Sequence, residues 1–233
     1  MDTPEKPERE PGTAPPPQTL TERVKEQFPN LFITLVSVLI GLVFQDLVTE
    51  ARARMHLWPL NMDSLRTWSQ LFANGTSAMT VWIVYAHIGV SRKHIPTLGD
   101  SLFAILPPVL ILAATSFVGQ QEVWPWFYVA SVYLVSTIVV VRWNVQLALA
   151  EQGLAGLALL VRPKGMLLVP MMGAPFFAAV GWASQHRMLS PAFELLCAVI
   201  PTPAALWCVH LFFRDWHRAI GAVESDTQKE SLS

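Results

Sequence analysis

Residues 101–141 read SLFAILPPVLILAATSFVGQQEVWPWFYVASVYLVSTIVVV and contain a single charged residue, Glu122. A short polar break at Gln120, Gln121 and Glu122 separates two apolar runs, 101–119 and 123–141. Each run has roughly the 20 residues that an α-helix needs to cross a hydrocarbon core about 30 Å thick. This stretch therefore predicts two consecutive transmembrane helices of opposite direction, and it decides the class of fold.

The composition of the whole chain agrees with a membrane protein. Of its 233 residues, 52% are hydrophobic and 14% are charged, whereas about 25% of residues are charged in typical soluble domains. The 16 Lys and Arg residues are balanced by 17 Asp and Glu residues, so the basic surface that nucleic-acid binding requires is missing. The sequence predicts a lipid bilayer as its surroundings and no nucleic-acid partner.

Four further apolar runs extend the pattern, at 31–48, 68–90, 166–183 and 192–213. We therefore predict an all-α, polytopic bundle of six transmembrane helices within residues 20–218. Residues 1–19, which hold six of the 18 prolines, and residues 219–233 are predicted to be disordered tails. Segment 143–161 is also apolar, but Glu151 and Gln152 lie in its middle. We interpret it as an extension of the fourth helix followed by a short interfacial helix.

The distribution of basic residues predicts the orientation. With the N-terminus inside, twelve of the 16 Lys and Arg residues fall on the cytoplasmic side and four fall outside. Because cytoplasmic segments carry an excess of Lys and Arg, both termini are predicted to be cytoplasmic, in a plasma membrane or a bacterial inner membrane.

The third and sixth runs share a pattern that predicts an internal repeat. In each, an acidic residue is followed by six apolar residues and then a proline: Asp100 before Pro107, and Glu194 before Pro201, 94 positions later. Three helices would then correspond to three, giving a 3+3 inverted repeat of the kind found in transporters. Coincidence is the alternative, because few residues are identical under this shift. The candidate helix breaks are Pro107, Pro108, Pro201 and Pro203, since each proline frees the carbonyl four residues before it.

Polar side chains are concentrated in the first two runs. In the second run, Gln70, Asn74 and Ser77 lie on one helix face. A polar seam of the first run is expected to pair with this face; it consists of Thr34, Ser37, Gly41 and Gln45. Two interpretations stay open: hydrogen bonds that hold the helices together, or a solvated path between them.

Ionisable residues inside a bilayer are functional candidates because a charge there is costly. Asp46 and Glu194 are predicted to form the outer part of a cation or proton route, with His87 near its inner mouth. Together with Gln45 and the polar face of the second run, they predict a small-solute or ion transporter. A second interpretation is a structural or interaction subunit of a membrane complex, and the chain could also form a homo-oligomer. Under a third, His87 and His210 ligate a haem from two helices; the other two need no cofactor.

Motifs of soluble enzyme chemistry are absent from the sequence. There is no HExxH, GxSxG, GxGxxG or Walker sequence, so the chain is not predicted to be an enzyme. A stripe of small residues in the fifth run predicts close helix packing, within the chain or with a second copy: Ala174, Ala178 and Gly181.

Overall fold

The computed structural model describes residues 20–55, 61–91, 98–159 and 163–230. These residues form helices and no strands, which confirms the all-α class. The seven helices are α1 (Leu20–Ala53), α2 (Met62–Ser91), α3 (Leu98–Ser116), α4 (Trp124–Leu159), α5 (Pro163–Gln185), α6 (Pro191–Val199) and α7 (Pro201–Glu230).

Four helical segments among the described residues are long and apolar enough to cross a membrane. They are Asn30–Ala53 in α1, Trp124–Asn144 in α4, Leu167–Gln185 in α5, and Pro191–Arg214 across α6 and α7. The apolar part of α3, Leu102–Ser116, is shorter. Helix α2 is 30 residues long, about 45 Å at 1.5 Å per residue, but it carries more polar side chains than the four. The chain is therefore a helical bundle with at least four segments suited to a bilayer.

Five of the helices form a ring. Helix α2 packs on α3, α3 on α4, α4 on α5, α5 on α7, and α7 back on α2. The contact of α5 with α7 is the least extensive of these five, and that of α4 with α5 is the most extensive. Helix α1 lies outside the ring against α2 and α3, and α6 packs mainly on α2.

Small residues explain the close packing of α5 on α4. The Ala174 carbonyl accepts a 2.8 Å hydrogen bond from the Ser131 hydroxyl of α4. A Cβ at Gly181 would lie 3.4 Å from the Cβ of Phe127 and 3.4 Å from the carbonyl oxygen of Trp124. The predicted small-residue stripe therefore packs within the chain.

Helix α1 turns an apolar face to the bundle and its polar seam away from it. The buried residues recur every three or four positions: Phe32, Val36, Ile40, Val43 and Leu47. The seam residues, from Thr34 to Gln45, are exposed. Ser37 nevertheless contacts α2, because its hydroxyl accepts a hydrogen bond from the Trp82 indole at 3.1 Å, whereas Asn74 of the predicted polar face bonds to α3 and α4. The Thr34 hydroxyl donates to the Asn30 carbonyl in its own helix, at 2.8 Å, so it needs no partner from α2.

Two helices run past the predicted boundaries. Helix α4 continues to Leu159, so residues 143–159 extend the fourth helix and form no separate interfacial helix. No proline interrupts residues 126–162, and without one the helix has no strong reason to end. Helix α7 continues to Glu230 through most of the segment predicted as a disordered tail. The predicted N-terminal tail, 1–19, lies outside the described residues.

The candidate helix breaks behave differently in the two halves. Helix α3 continues through Pro107 and Pro108, so these prolines do not divide it. The sixth apolar run is interrupted at Ile200, between α6 and α7, directly before Pro201. Since the two halves differ at the prolines that suggested a repeat, the 3+3 inverted repeat stays a prediction.

Candidate functional site

The helical ring surrounds a cavity of about 500 Å³. Its walls come from α2, α3, α4, α5 and the junction of α6 with α7, and α1 contributes none of them. Most of the lining is aliphatic or aromatic. The largest apolar side chains include Leu110, Trp126, Leu134, Met172, Phe176 and Phe177.

One side of the cavity carries hydroxyl and amide groups. Apart from Tyr85, whose hydroxyl donates to the Phe103 carbonyl, they come from two helices: Asn74, Ser77 and Thr80 on α2, and Tyr133 and Thr137 on α4. The Tyr133 side chain interacts with the hydroxyls of Ser77 and Thr137. We call these five residues the polar wall. Its residues belong to α2 and α4, the two helices that flank α3 in the ring, and Tyr133 also interacts with Cys208 of α7.

The hydroxyls of the polar wall are partly committed to backbone carbonyls. Thr80 donates to the Thr76 carbonyl at 2.8 Å, and Thr137 donates to the Tyr133 carbonyl at 3.0 Å. Because each of these hydroxyls has used its proton, its oxygen lone pairs are left to accept a hydrogen bond. The wall can therefore bind a donor group such as the hydroxyl of a small molecule.

Above the cavity, α2 carries a column of buried polar groups toward its N-terminus. The column starts where Asn61 and Ser64 cap the helix reciprocally, with two hydrogen bonds of 2.8 Å. Gln70 is 1% exposed, and its side-chain oxygen accepts from the Gly119 amide at 3.2 Å. Asn74 donates to the Thr115 hydroxyl at 3.1 Å and accepts from the Trp126 indole at 3.3 Å. These bonds connect α2 with α3, α4 and the turn between them.

A buried ion pair lies at the same end of the bundle. Arg66 and Glu194 are 3.3 Å apart, and their side chains are 10% and 13% exposed. The Ser184 hydroxyl donates to Glu194 at 2.6 Å, and Arg66 also donates to the Gln120 carbonyl at 3.5 Å. Glu194 therefore joins α6 to α2 and α5, and neither member of the pair lines the cavity.

The structure does not bring the predicted ionisable candidates into one route. Gln45 and Asp46 are on α1, outside the ring, where Gln45 is exposed and Asp46 is half-buried. Glu194 is on α6, paired with Arg66. His87 is buried on α2 near the opposite end of the bundle, and its ring centroid lies 4.9 Å from that of Phe212.

The two candidate haem ligands point in different directions. His87 meets the Phe212 face of α7, whereas His210 is exposed and its ring centroid lies 5.8 Å from that of Trp207. Positions 210 and 212 are about 200° apart around an α-helix, so the structure does not bring the two imidazoles together on one face of α7. Within the described ranges there is also no group of three or more His, Cys, Asp or Glu residues that could hold a metal ion.

Of the other predicted residues, four contribute to the cavity: Asn74, Ser77, Pro107 and Pro201. Pro108 is buried, and Pro203 is exposed. Sequence reasoning missed Thr80 as a cavity residue and missed the α4 side of the polar wall altogether. The spacing of Tyr133 and Thr137, four positions apart on one helix face, was the available indication. Neither side chain carries a charge near neutral pH, so the high cost of a charge in a membrane did not point to either residue.

Comparisons of the chain with protein-family models, curated protein sequences and solved structures found no match. The described residues thus define an all-helical bundle that has four segments apolar enough to cross a membrane and an internal cavity with polar groups on its lining.

Proposed function

We propose that this chain is a membrane carrier for an uncharged, mainly apolar small molecule, which it binds in the central cavity. The observation that carries the proposal is the cavity itself: about 500 Å³ in volume, apolar over most of its surface, with hydroxyls collected on one side. Binding sites for small molecules have this character and typically enclose about 300–1,000 Å³.

An occupant is favoured because the cavity is lined mainly by apolar side chains, whose surface an apolar occupant would shield from water. Water is a poor occupant where most of the wall is apolar, since each buried water needs two to four polar partners. A molecule with an apolar body and one hydrogen-bonding group satisfies both parts of the lining.

The lining of the cavity carries no charged side chain, which favours an uncharged ligand over an ion. The lining residues include no Asp, Glu, Lys, Arg or His, whereas ion pathways in membranes use charged groups or converging carbonyls. Glu194, the acidic candidate with a resolved partner, is already neutralised by Arg66. A small neutral solute is therefore the form of the transporter hypothesis that fits this site.

We propose further that all six apolar segments cross the bilayer, with both termini in the cytoplasm. The packing of α2 and α3 into one ring with α4, α5 and α7 supports this proposal. The excess of Lys and Arg on the side of the N-terminus supports the orientation.

The test is a cavity-filling variant with a neighbouring control. Ala205 lines the cavity, and Leu206 is exposed and does not line it. We expect purified protein in detergent micelles to be photolabelled by a long-chain alcohol that carries a diazirine, with labels on Tyr133 or Thr137. Ala205→Phe should reduce this labelling at least about tenfold at equal protein concentration, and Leu206→Phe should leave it unchanged.

Two results would contradict the proposal. In the first, the wild-type protein carries labels only on outward-facing residues such as Leu168 and Leu206. In the second, Ala205→Phe folds, as judged by its thermal transition, and is labelled as strongly as the wild type. If labelling instead supports the binding cavity, carrier activity is measured as transport of the same alcohol between the leaflets of reconstituted vesicles.

The exposed seam of α1 favours a second candidate, an interaction subunit. Ser37 and Gly41 are exposed, and a Cβ at Gly41 would meet nothing within 4 Å. Small residues four positions apart allow another helix to approach closely in a bilayer. If this face binds a helix of a second copy, differently tagged copies should co-purify, and Gly41→Ile should abolish the association. Co-purification that is unaffected by Gly41→Ile would remove this face as the interface.

A further inference from the structure

The cavity has an opening toward the lipid-facing surface of the bundle. Of all its lining residues, three are exposed: Met172 at 67%, Phe176 at 38% and Ile200 at 39%. The other lining residues are buried or half-buried. The exposed three belong to α5 and to the junction of α6 with α7, so the wall is incomplete between these elements.

Two independent features of the bundle coincide with this gap. Helix α5 is held mainly by α4, and its contact with α7 is the least extensive joint of the ring. The helix break at Ile200 lies in the same joint, where Pro201 supplies no amide hydrogen for the Cys197 carbonyl. Ile200 keeps helical backbone angles, φ −54° and ψ −41°, so the helix axis continues here with fewer hydrogen bonds, and bending at this point costs less than in a fully bonded helix.

The outer surface beside the gap is suited to lipid. On α5, the neighbouring exposed residues are Leu168 and Met171, and on α7 the exposed residues include Leu206 and Trp207. A molecule dissolved among acyl chains would meet only apolar side chains on its way from this surface to the cavity. A charged or strongly hydrated solute would have to shed its water at the same place.

We infer that the cavity takes its ligand sideways from the bilayer, through a lateral opening bounded by Met172, Phe176 and Ile200. The inference rests on the proposed function and narrows its substrate class to lipid-dissolved molecules with an apolar body and a hydroxyl head. The polar wall belongs to α2 and α4, whereas the opening is bounded by residues of α5 and of the junction between α6 and α7. The hydroxyl therefore enters first and binds there, while the apolar part occupies the space near Met172 and Phe176.

The experiment compares two photoreactive probes in phosphatidylcholine vesicles that contain the full-length protein. The first is the free long-chain alcohol with a diazirine. The second is a phosphatidylcholine with a diazirine at the end of one acyl chain. Its acyl chains hold it in the bilayer and its zwitterionic headgroup stays at the membrane surface. The chain end can therefore reach the polar wall only through a lateral opening. Labelled residues are identified by mass spectrometry.

We expect both probes to label the polar wall in the wild-type protein. Met172→Trp should reduce labelling of the wall by the phospholipid probe at least about fivefold. The matched control is Met171→Trp, at a position that is 57% exposed but does not line the cavity; it should label like the wild type. If Met172→Trp fails to fold, Phe176→Trp takes its place, and the comparison of the two probes in the wild type stands by itself.

The outcomes separate the two proposals. If the free alcohol labels the polar wall and the phospholipid labels only outward-facing residues, the lateral opening is overturned and the binding cavity stands. If Met172→Trp and Met171→Trp folded variants are labelled equally by the phospholipid, the route bounded by Met172 is wrong. If neither probe labels the wall, the proposed function itself fails.

Discussion

Among single residues, Glu194 is the charged group whose substitution we expect to lower the free energy of unfolding most. Its carboxylate bonds to Arg66 at 3.3 Å and to Ser184 at 2.6 Å, with 13% of its side chain exposed. Glu194→Ala leaves a buried guanidinium without its main partner, which typically costs about 3–5 kcal/mol. We expect a loss of about that size in the free energy of unfolding, measured by denaturant titration in mixed micelles.

Asp63 provides a control for this prediction on the same arginine. It also lies 3.3 Å from Arg66, but its side chain is 75% exposed, and exposed ion pairs contribute about 0–1 kcal/mol. Asp63→Asn should therefore change the unfolding free energy by less than about 1 kcal/mol. Equal effects of the two substitutions would show that Glu194 is not a buried partner of Arg66.

Asn74 supports a second prediction at this scale, since its amide connects α2 to Thr115 of α3 and Trp126 of α4. Asn74→Ala removes both bonds and leaves a buried indole N–H unpaired, at a cost of about 1–3 kcal/mol. Ser116→Ala is the control, because Ser116 is exposed and its hydroxyl donates to the Ala113 carbonyl of its own helix. The free energies of unfolding of the two variants are compared by denaturant titration. A loss for Ser116→Ala as large as that for Asn74→Ala would contradict the prediction.

Sequence periodicity could identify Asn74 and Ser77 because residues four and three positions apart share a helix face. It could not identify the partner of Glu194, since Arg66 is 128 positions away and only tertiary packing brings the two together. It also paired Gln45 with the polar face of α2, whereas α1 packs with its apolar stripe and leaves Gln45 exposed.

At the scale of elements, the packing of α5 on α4 leads to a prediction about glycine. A Cβ at Gly181 would contact Tyr128 at 3.3 Å and Phe127 at 3.4 Å, whereas one at Gly41 would contact nothing within 4 Å. Gly181→Ile should lower the unfolding free energy by about 1–3 kcal/mol through overpacking. Gly41→Ile, which changes helix propensity equally, should not lower it. Thermal unfolding followed by far-ultraviolet circular dichroism compares the two, and equal losses would contradict close packing of α4 and α5.

The prolines of α3 and α7 show that a proline does not always divide a helix. A proline always removes a backbone donor, but whether the helix then divides depends on its surroundings. In α3, Pro107 and Pro108 are buried by neighbouring helices that hold the helix together. At Pro201 the neighbouring joint with α5 is slight, and the helix is interrupted there. Sequence alone contains the prolines but not the neighbours.

At the scale of the whole molecule, hydropathy underestimates the helices that are most enclosed. Helix α2 is not among the four strongly apolar segments, yet Thr67, Gln70 and Asn74 are at most 5% exposed. Thr67 donates to the Asp63 carbonyl of its own helix, and the amides of Gln70 and Asn74 bond to other helices and turns, so these groups do not need water. A helix that is surrounded by protein can cross a bilayer with polar residues that a lipid-facing helix could not carry.

One labelling experiment distinguishes six membrane crossings from four. In both arrangements the two termini share a side, because α2 and α3 either both cross or both stay outside. The connection between α2 and α3 differs: Lys93 is cytoplasmic if they cross and external if they do not. In a variant without Cys197 and Cys208, we expect Lys93→Cys to react with a membrane-impermeant thiol reagent only after permeabilisation of the cells. Gln121→Cys, in the exposed turn between α3 and α4, should react from outside in either case. If both positions react in intact cells, α2 and α3 do not cross, and the ring around the cavity cannot lie within the bilayer.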